Sequence, residues 1–322
     1  MTRYLVTGGA GYIGAALLPA IAAEPGARVR RLFRGEKPPA EQFSGLSVED
    51  FRGDVRERGD LERALEGVDV VLHLAAQTSV YVADKDPAAD IDANLRPMLH
   101  LLEACRALGS KPRVVLASTC TVYGVSPPLP VREHTPVTPI TVYDLHKLAV
   151  ESYLRHYAEQ GYVHGVALRL ANVYGPGPKS SKPDRGVLNG MVRRALAGES
   201  LKIYGTGEFL RDYVYIDDVA RAFVQAAAAA PNLGGRAFPV VSGQSHTLAD
   251  AVGLVARLVS ERTGRAVSVE HVEPPPGLSP IENRNFVADP TDLAAAAGFR
   301  AGVTLAAGIS RTIDYFTAEG GA

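Results

Sequence analysis

Between Arg3 and Ala23 the chain has little freedom of fold. The β-branched run Arg3–Thr7 passes directly into Gly8-Gly9-Ala10-Gly11-Tyr12-Ile13-Gly14, and Ile13–Ala23 goes on with helical spacing. Gly8, Gly11 and Gly14 fall three residues apart. A pyrophosphate needs such a turn, because backbone has to approach the anion closely and the start of a helix offers it a partial positive charge. A strand, a glycine loop and a helix in that order predict a dinucleotide-binding unit.

The same alternation continues. Val29–Phe33, Val68–Leu74, Arg113–Ser118 and Val166–Leu170 read as strands, the middle two apolar enough to be covered on both faces. Gly59–Glu66, Ala89–Leu108 and Tyr143–Gln160 read as helices, each followed by a glycine: Gly67, Gly109 and Gly161. From Asn172 the texture changes. A loop with Gly175, Pro176, Gly177, Pro178 and Pro183 precedes a helix at Val187–Ala197 and a strand at Lys202–Tyr204. Tyr213–Ile216 with Asp218–Ala229 repeats the strand-helix pattern, and further helices are expected at Leu248–Thr263 and Ala306–Ala318. The expectation is an α/β fold, a doubly wound parallel (Rossmann) sheet with a smaller mixed α/β C-terminal lobe for substrate. Residues 1–171 form the first domain, 213–234 return to it, and 172–322 form mainly the second.

Composition removes other classes. Lys and Arg total 34 against 35 Asp and Glu, a net charge of −1, so no overall field draws the chain to nucleic acid or anionic lipid. Cys105 and Cys120 are the only cysteines, both in apolar stretches, which suits a reducing compartment and excludes a zinc cluster. The start of the chain shows no leader pattern, and the alanine run Ala226–Ala230 is far shorter than a membrane span of about 20 residues. A cytoplasmic, soluble protein is expected.

A nicotinamide cofactor ordinarily sets its adenosine ribose against an acid at the end of the second strand. Here that strand ends Arg30-Arg31-Leu32-Phe33-Arg34: no acid is present, and Arg34 can stack on adenine or grip a 2′-phosphate. NAD and NADP both stay open. Tyr143 and Lys147, four apart on a helix, share a face, and an ammonium beside a phenol makes the phenol a better general base.

Together, Gly8–Gly14, His73-Leu74-Ala75-Ala76, Ser118–Gly124, Tyr143–Lys147, Leu168–Pro176 and Arg211–Val219 resemble, in order and spacing, the extended short-chain dehydrogenase/reductases that act on nucleotide sugars. The resemblance implies a catalytic triad of Thr119, Tyr143 and Lys147. It implies cofactor contacts from Gly8, Gly11, Tyr12, Ile13, Gly14 and Arg34, with Asp54 and Val55 beside adenine. Leu74, Ala75 and Ala76 would line the pyrophosphate side, and Asn94 would steady the strand carrying the active site. For a nucleoside-diphosphate sugar it implies Asn172 and Arg211 at the diphosphate, Arg284 as a second basic contact, Cys120 and Thr121 beside the sugar, and Lys179 near a sugar carboxylate. It also implies a homodimer seamed by the helices Ala89–Leu108 and Tyr143–Gln160.

Within that family, 4,6-dehydratases carry an Asp-Glu pair after the threonine, where this chain has Cys120 and Thr121. Neither does that acid-base work readily at neutral pH, so dehydration is disfavoured. The stretch Thr119–Gly124 looks like that of UDP-galactose 4-epimerase relatives, which implies epimerisation at C4 through a transient ketone. An NADPH-dependent 4-ketoreductase is the alternative, favoured by the basic second strand; a non-catalytic dinucleotide sensor is a third. His73 is expected to be structural, and Asp217 and Asp218 to cap the helix that they begin.

Overall fold

The computed structural model describes residues 1–36, 45–177 and 186–320. Its strands are β1 (Arg3–Thr7), β2 (Arg28–Phe33), β3 (Ser47–Arg52), β4 (Val70–His73), β5 (Arg113–Thr119), β6 (His164–Leu170), β7 (Asn172–Tyr174), β8 (Leu201–Tyr204), β9 (Leu210–Tyr215), β10 (Ala237–Val240), β11 (Ser245–Thr247) and β12 (Val269–Val272). Its helices are α1 (Tyr12–Ala22), α2 (Arg58–Leu65), α3 (Val80–Lys85), α4 (Pro87–Asp90), α5 (Arg96–Leu108), α6 (Val142–Glu159), α7 (Val187–Leu196), α8 (Ile216–Ala229), α9 (Leu248–Thr263), α10 (Thr291–Ala297) and α11 (Leu305–Gly320).

Seven strands form one sheet in the order β10-β6-β5-β4-β1-β2-β3, every pair parallel. Successive side chains of a strand point to opposite faces, and the core divides accordingly. Tyr4 and Val6 pack with Leu17, Leu18 and Ile21 of α1 and Phe223 of α8. Leu5 packs on the other face with Leu61 of α2, Leu101 of α5 and Leu154 of α6. A separate core of α7, α9 and α11 supports the small sheet β11-β9-β7 and the pair β12-β8.

Several elements depart from expectation, each for a physical reason. β3 has no apolar run to announce it; facing carboxylates hold it to β2, with Arg30 Nε 3.1 Å from Glu49 and Arg31 Nε 2.8 Å from Asp50, residues opposite one another in register. The basic second strand is therefore largely neutralised by its neighbour. The helix expected over Ala89–Leu108 is broken into α4, a π-turn at Ile91–Leu95, and α5, where Pro97 in the first turn lacks only an N–H that the helix does not use. Within 213–234, α8 packs against α1, whereas β9 pairs with β7 and β11; the strand that closes the large sheet is β10, just past that stretch. Asp218 caps nothing at its own helix: its Oδ2 accepts the Gly302 and Val303 amides at 3.0 Å each and ties a distant loop to α8.

Candidate active site

The turn between β1 and α1 admits no side chain where the glycines stand. Gly8 has φ +68°, and a Cβ there would come within 2.9 Å of the Ala75 amide nitrogen; a Cβ on Gly14 would lie 2.5 Å from the Gly8 carbonyl oxygen. The loop Leu74-Ala75-Ala76 is thereby held against the turn, and Thr7 Oγ1 fixes it by accepting the Leu74 and Ala75 amides at 3.2 Å each. Gly11 begins α1 with no side-chain cap. A bare helix start over a tight glycine cradle fits a dinucleotide's pyrophosphate. His73, under the cradle, contacts Thr7 Oγ1 at 3.0 Å, and burial pushes its pKa down to about 3, so it stays neutral and structural.

At the adenosine end, Phe33 is buried. Asp54, beyond β3, is bound by Arg56 at 2.6 Å and lies 3.7 Å from Arg34; the Arg56 hydrogen bonds hold its carboxyl below the usual range. Arg34 remains largely exposed, and Val55 packs against the core beneath. Tyr12 turns away from the cradle: its hydroxyl donates to the Gly175 carbonyl at 2.9 Å and accepts from Asn189 at 3.1 Å. Ile13 likewise packs into both cores. The side chains of these two expected cofactor residues join the lobes, which leaves their backbone for a cofactor.

The end of β5 meets the start of α6. Lys147 Nζ donates to the Ala117 carbonyl at 2.5 Å, two residues before Thr119. The Thr121 hydroxyl donates to Asp144, and Thr121 Oγ1 lies 2.8 Å from Thr119 Oγ1. These contacts dock the first turns of α6, which carry Tyr143, onto the end of β5 that carries Thr119. Lys147 is buried, which lowers its pKa to about 8 against the opposing charges of Glu151 and Asp90. Behind it, Arg169 Nη2 binds Glu151 at 2.7 Å and Arg169 Nη1 donates to the Tyr123 hydroxyl at 2.9 Å, a buried pair joining β6 to α6.

Two expected roles are corrected here. Cys120 does not face the sugar side: its thiol is buried and donates to the Arg169 carbonyl at 3.0 Å, because the turn after β5 points it into the core. Asn94 steadies the loop after β4 rather than β5, donating to the Gln77 carbonyl at 3.0 Å and to Asp90 at 2.9 Å, since the π-turn aims it there.

On the second lobe, Arg284 Nη2 donates to Asn172 Oδ1 at 2.9 Å. Arg211 is mostly engaged by carbonyls, those of Leu210 at 3.0 Å, Glu282 at 2.6 Å and Arg284. Burial and the neighbouring Arg284 lower its pKa to about 10. The three expected diphosphate residues thus converge, with Arg211 chiefly holding the loop that presents Arg284. Lys179 lies outside the described residues.

Sequence reasoning missed Asp144, Asp90 and Gln77. Asp144, in the first turn of α6, reads as a helix-start carboxylate, and only its neighbour Thr121 shows otherwise. His146 Nδ1 meets Asp90 at 2.7 Å, a pairing across two helices with no signal in the sequence.

The family model described as "NAD dependent epimerase/dehydratase family" matches residues 4–240. A UDP-glucose 4-epimerase of Mycolicibacterium smegmatis is 31% identical over 98% of this chain and 98% of its own. A UDP-N-acetyl-α-D-glucosaminuronate decarboxylase of Bacillus cytotoxicus is 28% identical over 98% and 97%. Among solved structures, the UDP-glucose 4-epimerase of Thermus thermophilus in complex with NAD is 34% identical over 98% and 99%, with a TM-score of 0.81. That of Thermotoga maritima with UDP-glucose is 28% identical over 99% of both chains, with a TM-score of 0.85. With the glycine cradle, the Tyr143–Lys147 helix and these likenesses in agreement, the chain belongs to the NAD-dependent epimerase/dehydratase family, the extended short-chain dehydrogenase/reductases.

Proposed function

We propose that the protein is an NAD-dependent nucleotide-sugar 4-epimerase, acting on a nucleoside-diphosphate hexose through a transient 4-keto sugar. The observation that carries this is the docking of the α6 segment that carries Tyr143 onto the end of β5, through Lys147 on Ala117 and Asp144 on Thr121, in a chain whose relatives include UDP-glucose 4-epimerases. NAD, when bound, would supply a reversible hydride acceptor for C4. Gly8, Gly11 and Gly14 would receive its pyrophosphate, and Asp54 and Arg34 flank its adenosine end.

Tyr143, as phenolate, takes the proton of the sugar's C4 hydroxyl and later gives it back. Thr119 hydrogen-bonds the same oxygen, and Lys147 holds the tyrosine's surroundings positive and positions the nicotinamide ribose. Asn172 and Arg284, with the remaining N–H groups of Arg211, grip the diphosphate, so the sugar can turn over while the nucleotide stays anchored. The reductase alternative keeps only part of the feature that favoured it: Arg30 and Arg31 of β2 are paired with β3, which leaves the exposed Arg34 as its support. A homodimer fits the side-by-side α5 and α6, the latter exposing Leu145 and Tyr153; a monomer mass by light scattering at micromolar concentration contradicts it.

The test is to denature the purified protein, measure released NAD, and follow UDP-glucose and UDP-galactose by NMR. An epimerase releases NAD that was never added and interconverts the pair. Tyr143→Phe should end turnover and keep the cofactor. Failure to interconvert any 4-epimeric pair of nucleotide sugars rejects the proposal.

A further inference from the structure

The residue after the candidate base is an aspartate with no exposed surface. One oxygen of Asp144, Oδ1, accepts the Thr121 hydroxyl, and Oδ2 has no partner among the described residues. Thr121 Oγ1 in turn lies 2.8 Å from Thr119 Oγ1. Each hydroxyl has a single hydrogen, and that fixes the direction of the chain. With Asp144 ionised, the hydrogen of Thr121 goes to the carboxylate. The contact between the two threonines is then a hydrogen bond only if Thr119 donates; because its oxygen also accepts the Thr121 amide at 3.2 Å, Thr119 shows the site one lone pair and no hydrogen. With Asp144 protonated on Oδ1 every direction reverses. The carboxyl donates to Thr121, Thr121 donates to Thr119, and the hydrogen of Thr119 is free for the site. Nothing is made or broken in this change except the carboxyl O–H, whose proton comes from solvent while two hydroxyls rotate.

The direction matters because the sugar oxygen changes character during the proposed reaction. As an alcohol it has a hydrogen to give; as a ketone it only accepts. Tyr143, having taken the proton, is one donor to the ketone, and Thr119 is the second only when its hydrogen is free. We propose that Asp144 is a positioning residue which, through Thr121, sets whether Thr119 donates or accepts at the sugar oxygen, the protonated carboxyl being the form that supports the ketone. This rests on the epimerase reading above. Burial raises the pKa of Asp144, while the Thr121 and Thr141 hydroxyls and the Arg284 guanidinium, the groups that face it, pull the other way.

The experiment compares the cofactor-loaded wild type with Asp144→Asn and Thr121→Val, measuring kcat and KM for UDP-glucose and UDP-galactose over the whole pH range in which all three stay folded. An amide at 144 has no ionisation, so the direction at Thr121 no longer changes with pH, and a valine at 121 releases Thr119 at every pH. Thr121→Val keeps the Asp144 carboxyl beside Tyr143, so in its ratio to wild type the ionisations of Tyr143 and Lys147 cancel most closely. That ratio of kcat should rise with pH by at least about tenfold, within the 10²–10³ that one oxyanion donor contributes, with KM unmoved. A ratio that stays flat with pH in both variants, or a change confined to KM, overturns the proposal. A second readout needs no turnover: the carboxyl carbon of Asp144, titrated by NMR in cofactor-loaded protein without sugar, should show a higher midpoint in Thr121→Val, and an unmoved midpoint also overturns it. A wild type that epimerises nothing while this midpoint still responds to Thr121 rejects the epimerase reading instead, with the hydrogen-bond chain intact.

Discussion

Lys147 Nζ reaches the backbone carbonyl of Ala117 at 2.5 Å, so a buried ammonium on α6 is fastened to the strand that ends in Thr119. Burial lowers its pKa to about 8. In ligand-free enzyme kcat/KM should therefore fall above pH about 8, as the charge that supports Tyr143 is lost. A profile flat to pH 9.5 contradicts this role.

The same burial makes Lys147 a liability for folding. The unfolded chain binds its proton up to the ordinary lysine range, the folded chain only to about 8, so below pH 8 the charged group lowers stability and the penalty fades as pH rises between 8 and 10.5. Lys147→Met should reduce kcat by about 10²–10⁴ while leaving Tm at pH 7 equal or higher. Loss of Tm together with activity would show instead that the ammonium holds the fold.

Asp212 accepts Ser242 N at 2.7 Å, Ser242 Oγ at 2.9 Å and Gly243 N at 2.9 Å, yet burial still raises its pKa to about 6. Between pH 4 and 6 the folded state holds a proton that the unfolded state has released. The contribution of Asp212 to stability therefore falls as pH rises through that window and is constant above it, by about 3 kcal/mol in all. Asp212→Asn should lack that slope when unfolding in urea is measured at pH 4, 5 and 6. A slope shared by variant and wild type assigns it to another group.

Gly14→Ala places a methyl 2.5 Å from the Gly8 carbonyl oxygen, backbone that has nowhere to yield. We expect about 1–3 kcal/mol of lost stability and loss of co-purifying NAD. Full cofactor occupancy in the variant contradicts the cradle as described.

Arg169→Met leaves the buried Glu151 carboxylate with the Ser118 hydroxyl but without its counter-charge and should cost about 3–5 kcal/mol in urea unfolding. The double variant Arg169→Met, Glu151→Leu should recover much of that. A single variant as stable as the wild type would mean that water reaches Glu151.

Much of this was legible from residue order alone, because its physics is local. The β1 turn needs glycine whatever surrounds it, the central strands announce burial by unbroken apolar runs, and four-residue spacing puts Tyr143 and Lys147 on one face. Pairings between distant segments carry no such local mark. The polar strand β3 exists because Glu49 and Asp50 find Arg30 and Arg31 across the sheet; Arg211 and Arg284 exchange emphasis because a loop some seventy residues away lays its carbonyls on the first. Asp144 looks like an ordinary helix-start acid until folding buries it against Thr121, where the loss of water, rather than its place in the chain, gives it chemistry.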